Sequence, residues 1–179
     1  MRRYFEASSR PQALFAALAV AVILVVVVFP ALPIGGDPFD ASAGYTQAEA
    51  LAVLDGYGEA GRRTHIWASL TLDTALPVVY AGFLGGLIYR YRPSERWWKL
   101  AYLPLAAGAI DLGENIWVVL LLTRYPDISS GQVAAASLFM LSKWYAIVAC
   151  LTLATALALV AGVRRARDRL RDRTSAGEQ

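Results

Sequence analysis

The residues best able to do chemistry stand together in the middle of an apolar run, as Asp111-Leu-Gly-Glu114-Asn115. At spacings of three and four, Asp111, Glu114 and Asn115 share one face of a helix. Asp73 interrupts an earlier apolar run and Lys143 a later one. A charged side chain at the centre of a membrane helix costs about 2.5–3.5 kcal/mol, so such groups turn inward and pair. Three acids against one lysine would leave −2 if all were ionised, which a low-dielectric interior tolerates poorly. A proton on one carboxyl group, a bound cation, a basic ligand, or Arg62 and Arg63 folding inward could each balance it.

The chemistry open to this set is acid/base transfer, with Asp111 and Glu114 as the pair and Asp73 or Lys143 tuning them. His65, Ser69 and Asp73 recur every four residues, with Tyr80 seven beyond Asp73, so a polar stripe leads toward the acids. Arg62 stands at its mouth. Asn115, Lys143, His65, Arg62, Trp117, Trp144 and Tyr80 are the expected ligand contacts, the aromatic residues (with Tyr145) lining an apolar body. His65 is the only histidine, which disfavours a zinc hydrolase. No cofactor is expected, although Asp73, Asp111 and Glu114 could offer oxygens to a divalent cation. There is no phosphate-binding loop, dinucleotide fingerprint, nucleophile elbow or Cys-x-x-Cys pair, and the lone Cys150 excludes dithiol chemistry.

Four apolar runs must position these residues. The chain has 179 residues, 57% hydrophobic and 17% charged, an excess concentrated in those runs. The expected fold is an all-α integral membrane protein, a bundle of four transmembrane helices at about 13–29, 66–89, 97–122 and 133–163. Residues 1–12 form a basic lead. The first run exceeds a signal-peptide core and lacks an A-x-A site, so it reads as a retained helix. Pro30, Pro33 and Pro38 end it. The loop at 30–64 carries a capping box, Thr46-Gln-Ala-Glu49, and a short amphipathic helix at about 46–56. That helix could lie on the membrane surface, roof the bundle, or merely pack the loop down. Gly56, Gly58 and Gly61 are expected to break the chain after it. Pro104 and Gly108 suggest bends in the third helix, and Gly82 and Gly86 a close helix contact. Residues 164–179 read as a basic tail, a helical extension that frays.

Basic residues set the orientation. Arg2, Arg3 and Arg10, the 90–99 hinge and the tail alternate with sparsely basic connections, a positive-inside pattern with both termini cytoplasmic. A bacterial-type plasma (inner) membrane is the expected location. Both longer connections then face outward, placing the helix at about 46–56 in the first extracytoplasmic loop. Asp73, Asp111, Glu114, Asn115 and Lys143 fall at one depth, roughly 10–17 Å below the outer helix ends at about 1.5 Å per residue.

Membrane lipids, a hydrophobic small molecule and further copies of the chain are the expected partners; nucleic acid is not. The leading expectation is an outward-opening intramembrane site that binds, and could alter by acid/base catalysis, a lipid-like or hydrophobic small molecule. This plan is similar to that of four-helix membrane isomerases and sterol-binding proteins of the EXPERA type, a likeness of architecture without a shared motif. The alternatives are a structural or accessory subunit whose acids tie helices together, and an oligomeric ion or proton pathway. The inner halves of all four helices lack charge, which disfavours a pathway to both faces.

Overall fold

A computed structural model of the chain describes residues 1–37, 39 and 44–176. The described residues form helices and connecting turns, with no strand among them. The helices are α1 (Arg2–Ser8), α2 (Pro11–Ile23), α3 (Gln47–Gly56), α4 (Gly58–Leu70), α5 (Leu72–Tyr91), α6 (Leu103–Arg124) and α7 (Ser130–Ala176). A π-helical turn, Leu24–Val28, and a 3-10 turn, Phe29–Ala31, extend α2. Another 3-10 segment, Glu95–Tyr102, leads into α6. Four stretches are long and apolar enough to cross a membrane: Pro11–Ala31, Gly58–Tyr91, Glu95–Arg124 and Ser130–Arg169. The expected role of Pro38 lies outside the described residues.

The arrangement turns a soluble protein inside out. Phe15, Val26, Val78, Ile116, Leu138 and Leu159 are exposed, whereas Asp111, Glu114, Asn115 and Lys143 are buried. A helix apolar all round and exposed on most sides, as α2 is, suits hydrocarbon rather than water.

Helices α5, α6 and α7 pack on one another, and α4 packs on α6, while α2 lies along α5. The core divides into two apolar clusters. At the α3 end, Ala50 and Leu54 of α3 meet Val118, Leu121 and Leu122 of α6 and Val133, Ala136 and Met140 of α7. The short helix therefore roofs the bundle. Its capping box is formed, with Glu49 N donating to Thr46 Oγ1 at 3.3 Å and Thr46 N to Glu49 Oε2 at 2.7 Å. At the α1 end, Phe5 is buried with Leu84, Ile88, Tyr89, Ala101, Ala107, Cys150 and Ala154.

Several local expectations need correction. The second long helix begins at Gly58, not near residue 66. Gly58 takes φ +62°, the left-handed turn that joins α3 to α4. Gly61 does not break α4; a side chain there would strike the Ile34 carbonyl. The 3-10 segment, which holds Trp97 and Trp98, delays the third helix until Leu103. Pro104 then sits in the first turn of α6, where its missing N–H is no loss. Gly108 lets α6 approach Pro77 of α5, its Cβ position lying 3.4 Å from the Pro77 carbonyl. Residues 1–12 are not a mere lead. Phe5 of α1 fills an aromatic slot, stacked on Tyr89 and edge-on to Tyr102. Gly82, Gly85 and Gly86 face Tyr4, Phe5 and Ser8, so their close contact is with α1. The basic tail is helical through Ala176.

Candidate functional site

The polar residues form a layer between the two apolar clusters. Along α6 the sequence runs from Ala107 in one cluster, through Asp111, Glu114 and Asn115, to Val118 in the other. Along α7 it runs from Met140 through Lys143 to Cys150. These switches from apolar to polar at helical spacing bring the charges to one level.

Lys143 is the hub. Its Nζ forms an ion pair with Glu114 Oε2 and lies 3.8 Å from Asp111 Oδ1. Glu114 is wholly buried, and Asp111 and Lys143 nearly so. The three groups carry −1 if all are ionised, and half-buried Asp73 would deepen it. Tyr80 of α5 completes the layer. Its hydroxyl lies beside Asp111 and within the field of Glu114, without the geometry of a well-formed hydrogen bond.

Asn115 has a defined structural task. Pro77 has no N–H, so the Asp73 carbonyl, four residues earlier, lacks its usual helical donor. Asn115 Nδ2 supplies one at 2.9 Å, across from α6 to α5. The chain also bends between α4 and α5, where Thr71 takes φ −117° and ψ −74°. There the Thr74 hydroxyl donates to the Ser69 carbonyl at 2.9 Å. Asn115 and Thr74 thus each give a side-chain donor to a backbone carbonyl where Pro77 and the bend disturb the helix.

The other expected contacts lie apart from this layer. His65 is buried two turns before Asp73, edge-on to the Tyr57 ring at 5.5 Å. Arg62 does not fold inward. It donates to the Leu54 carbonyl at 2.9 Å and sits 4.3 Å from the centroid of Tyr125. Tyr125 in turn donates to Asp55 Oδ1 at 2.6 Å, which holds its phenol above the usual range. These bonds tie the α3 roof to the α6–α7 turn, as does Gln47 Nε2 to the Ile128 carbonyl at 2.7 Å. Trp117 packs against the α3-end cluster. Trp144 is 48% and Tyr145 74% exposed, so both face outward rather than lining an inner pocket. Lys143 Nζ lies 5.8 Å from the Trp144 ring centroid.

Two features escape the sequence reading. Ser137 of α7 is buried, and its hydroxyl, like that of Ser69, has no hydrogen-bond partner among the described residues. Ser137 could have been noticed as a hydroxyl six residues before Lys143, in the same apolar run. Ser129 and Gln132 form a second capping box, opening α7, with Ser129 N donating to Gln132 Oε1 at 2.9 Å.

Among the described residues, no group of three or more His, Cys, Asp and Glu side chains could hold a metal ion. The lysine ammonium stands between the carboxylates where a cation would sit. A concavity between α2 and α5 and another on the roof beside Tyr45 and Ala52 both lie away from the acid layer. No protein-family model matches the chain, and no curated protein and no solved structure matches it.

Proposed function

We propose that this is a multi-pass membrane protein whose Asp111–Glu114–Lys143 layer, with Asp73 and Tyr80, binds one polar end of a lipid-like or hydrophobic small molecule. The carboxyl groups are equipped to pass a proton to or from that end. The observation that carries this reading is the surplus of acid: two carboxylates share one lysine at almost complete burial. A structural clamp between helices needs one acid for one base. A second acid in that position calls for a mobile proton or a cationic group to balance it. The buried, unpartnered hydroxyl of Ser69 lies on the same α4–α5 stripe and supplies a further polar contact. In this reading both termini face the cytoplasm of a bacterial-type inner membrane, the α3 roof faces outward, and a ligand passes beneath it.

A second reading has its own support. Asn115 restores the hydrogen bond that Pro77 removes, and Lys143 fills the space between its acids, as a purely structural network would require. In that case the chain is an accessory subunit.

Native mass spectrometry separates the two. The protein is extracted from its membrane in mild detergent beside Asp111→Asn and Glu114→Gln. The binding reading expects a defined small mass on the parent and its loss from both folded variants. A parent with no adduct, and variants that melt far earlier, would instead establish the network.

A further inference from the structure

The groove between α2 and α5 is a second site of a different kind. It has a volume of about 240 Å³. Ala13, Ala17 and Val20 of α2 face Val79 and Gly82 of α5 across it, and Ser8 closes one end. Small side chains on both helices keep it open, and its wall is almost wholly apolar.

The Ser8 end is basic. Arg90 Nη1 donates to the Ser9 carbonyl at 3.0 Å, which anchors that guanidinium beside the groove's mouth. Arg10 stands at the start of α2 and is exposed, as is Arg3. Arg2 and Arg92 are committed to Glu95. Arg3 and Arg10 make no ion pair among the described residues. An apolar slot thus ends in free positive charge.

The length selects the occupant. Along α2, Pro11 to Val20 rises roughly 14 Å at about 1.5 Å per residue, close to one leaflet of a hydrocarbon core about 30 Å thick. A transmembrane helix of another protein would need a groove running the full thickness. An acyl chain needs only one leaflet. We propose that this groove holds an acyl chain of an anionic phospholipid whose phosphate rests on Arg10 and Arg90. The proposal rests on the four long helices crossing a membrane and is independent of the acid layer.

The test uses the full chain in bilayer discs of phosphatidylglycerol and phosphatidylcholine in equal parts, followed by native mass spectrometry in mild detergent. Phosphatidylglycerol is expected to be retained in preference to phosphatidylcholine. Arg10→Gln should weaken that preference about fivefold, the effect of one basic residue at an anionic surface. Ala17→Phe, which fills the slot, should abolish retention of both lipids. Ala16→Leu serves the same purpose at an exposed position should Ala17→Phe fail to fold. Asp111→Asn should keep the phospholipid even where it loses a small-molecule adduct. Equal retention of the two lipids, or unchanged retention when the slot is filled, overturns the proposal. So does an oligomer that the filled slot converts to monomer with no loss of lipid, which would make a second copy the occupant.

Discussion

The polar layer and the apolar cluster at the α3 end use the same helices and are held together in different ways. In the cluster, Leu121, Val133 and Met140 meet under α3. Helices in lipid gain little from apolar burial, because the surrounding chains are as apolar as leucine. That cluster coheres through close packing, which falls off gradually as side chains shift. In the layer, Lys143 reaches Glu114 and Asp111 from another helix, and Asn115 reaches the Asp73 carbonyl. None of these groups has an acceptable alternative in hydrocarbon. The cluster therefore supplies adhesion, while the layer sets the heights of α5, α6 and α7 relative to one another.

The largest effect is expected at the hub. Lys143→Met leaves Asp111 and Glu114 buried without their cation and should cost about 3–5 kcal/mol. Leu121→Ala, the matching change in the cluster, should cost about 2–3 kcal/mol, mainly as a cavity, since the transfer gain is small in lipid. Thermal unfolding in one detergent compares them directly. Adding Asp111→Asn and Glu114→Gln to Lys143→Met should recover most of the loss, because neutral groups need no counter-charge. If Leu121→Ala proves the more damaging, the layer is not what fixes the bundle.

A smaller effect sharpens the same contrast. Asn115→Leu should cost about 1–2 kcal/mol, since it strands the Asp73 carbonyl rather than emptying space. Pro77→Ala gives α5 its own N–H donor for that carbonyl. In that background Asn115→Leu should cost measurably less, and the double-mutant cycle reads the coupling. Additive losses would mean that Asn115 serves something other than the bend.

How much of this could be read from the chain differs between the two regions. The long helices were legible because their apolar runs are uninterrupted, and the common depth of Asp73, Asp111 and Lys143 follows from helical rise once the runs are oriented. Helical spacing also contains a warning about Trp144 and Tyr145. One and two residues after Lys143, they cannot share its face, and both point outward. The docking of α1 was not legible. Arg2 to Ser8 looks like a soluble basic lead until Tyr89 and Tyr102, distant in sequence, form the slot for Phe5. Gly82 and Gly86 advertise a close contact without naming the neighbour, which is Tyr4 and Ser8. The link between Pro77 and Asn115 was half visible. The proline announces a stranded carbonyl, but only the packing of α6 on α5 shows which side chain answers it.

The smallest predicted effect lies in the roof and depends on pH. Glu49 accepts from the Thr46 backbone N–H and, more weakly, from the Thr46 hydroxyl, which together hold its carboxyl below the usual range. Its ordinary value is about 4.3. A group whose folded pKa is depressed contributes stability above its unfolded value and loses it as the pH falls through the folded value. Protection of the α3 amides from hydrogen exchange, corrected for the intrinsic rate, should therefore be constant from neutrality down to about pH 5 and decline below about pH 4. In Glu49→Gln that decline should be absent. Amides of α5 and α6 near the polar layer should not follow the same step, because Glu49 lies on the roof and is exposed. A step shared by all of these amides would mean that the roof and the layer open as one unit, and that the layer governs access as well as helix height.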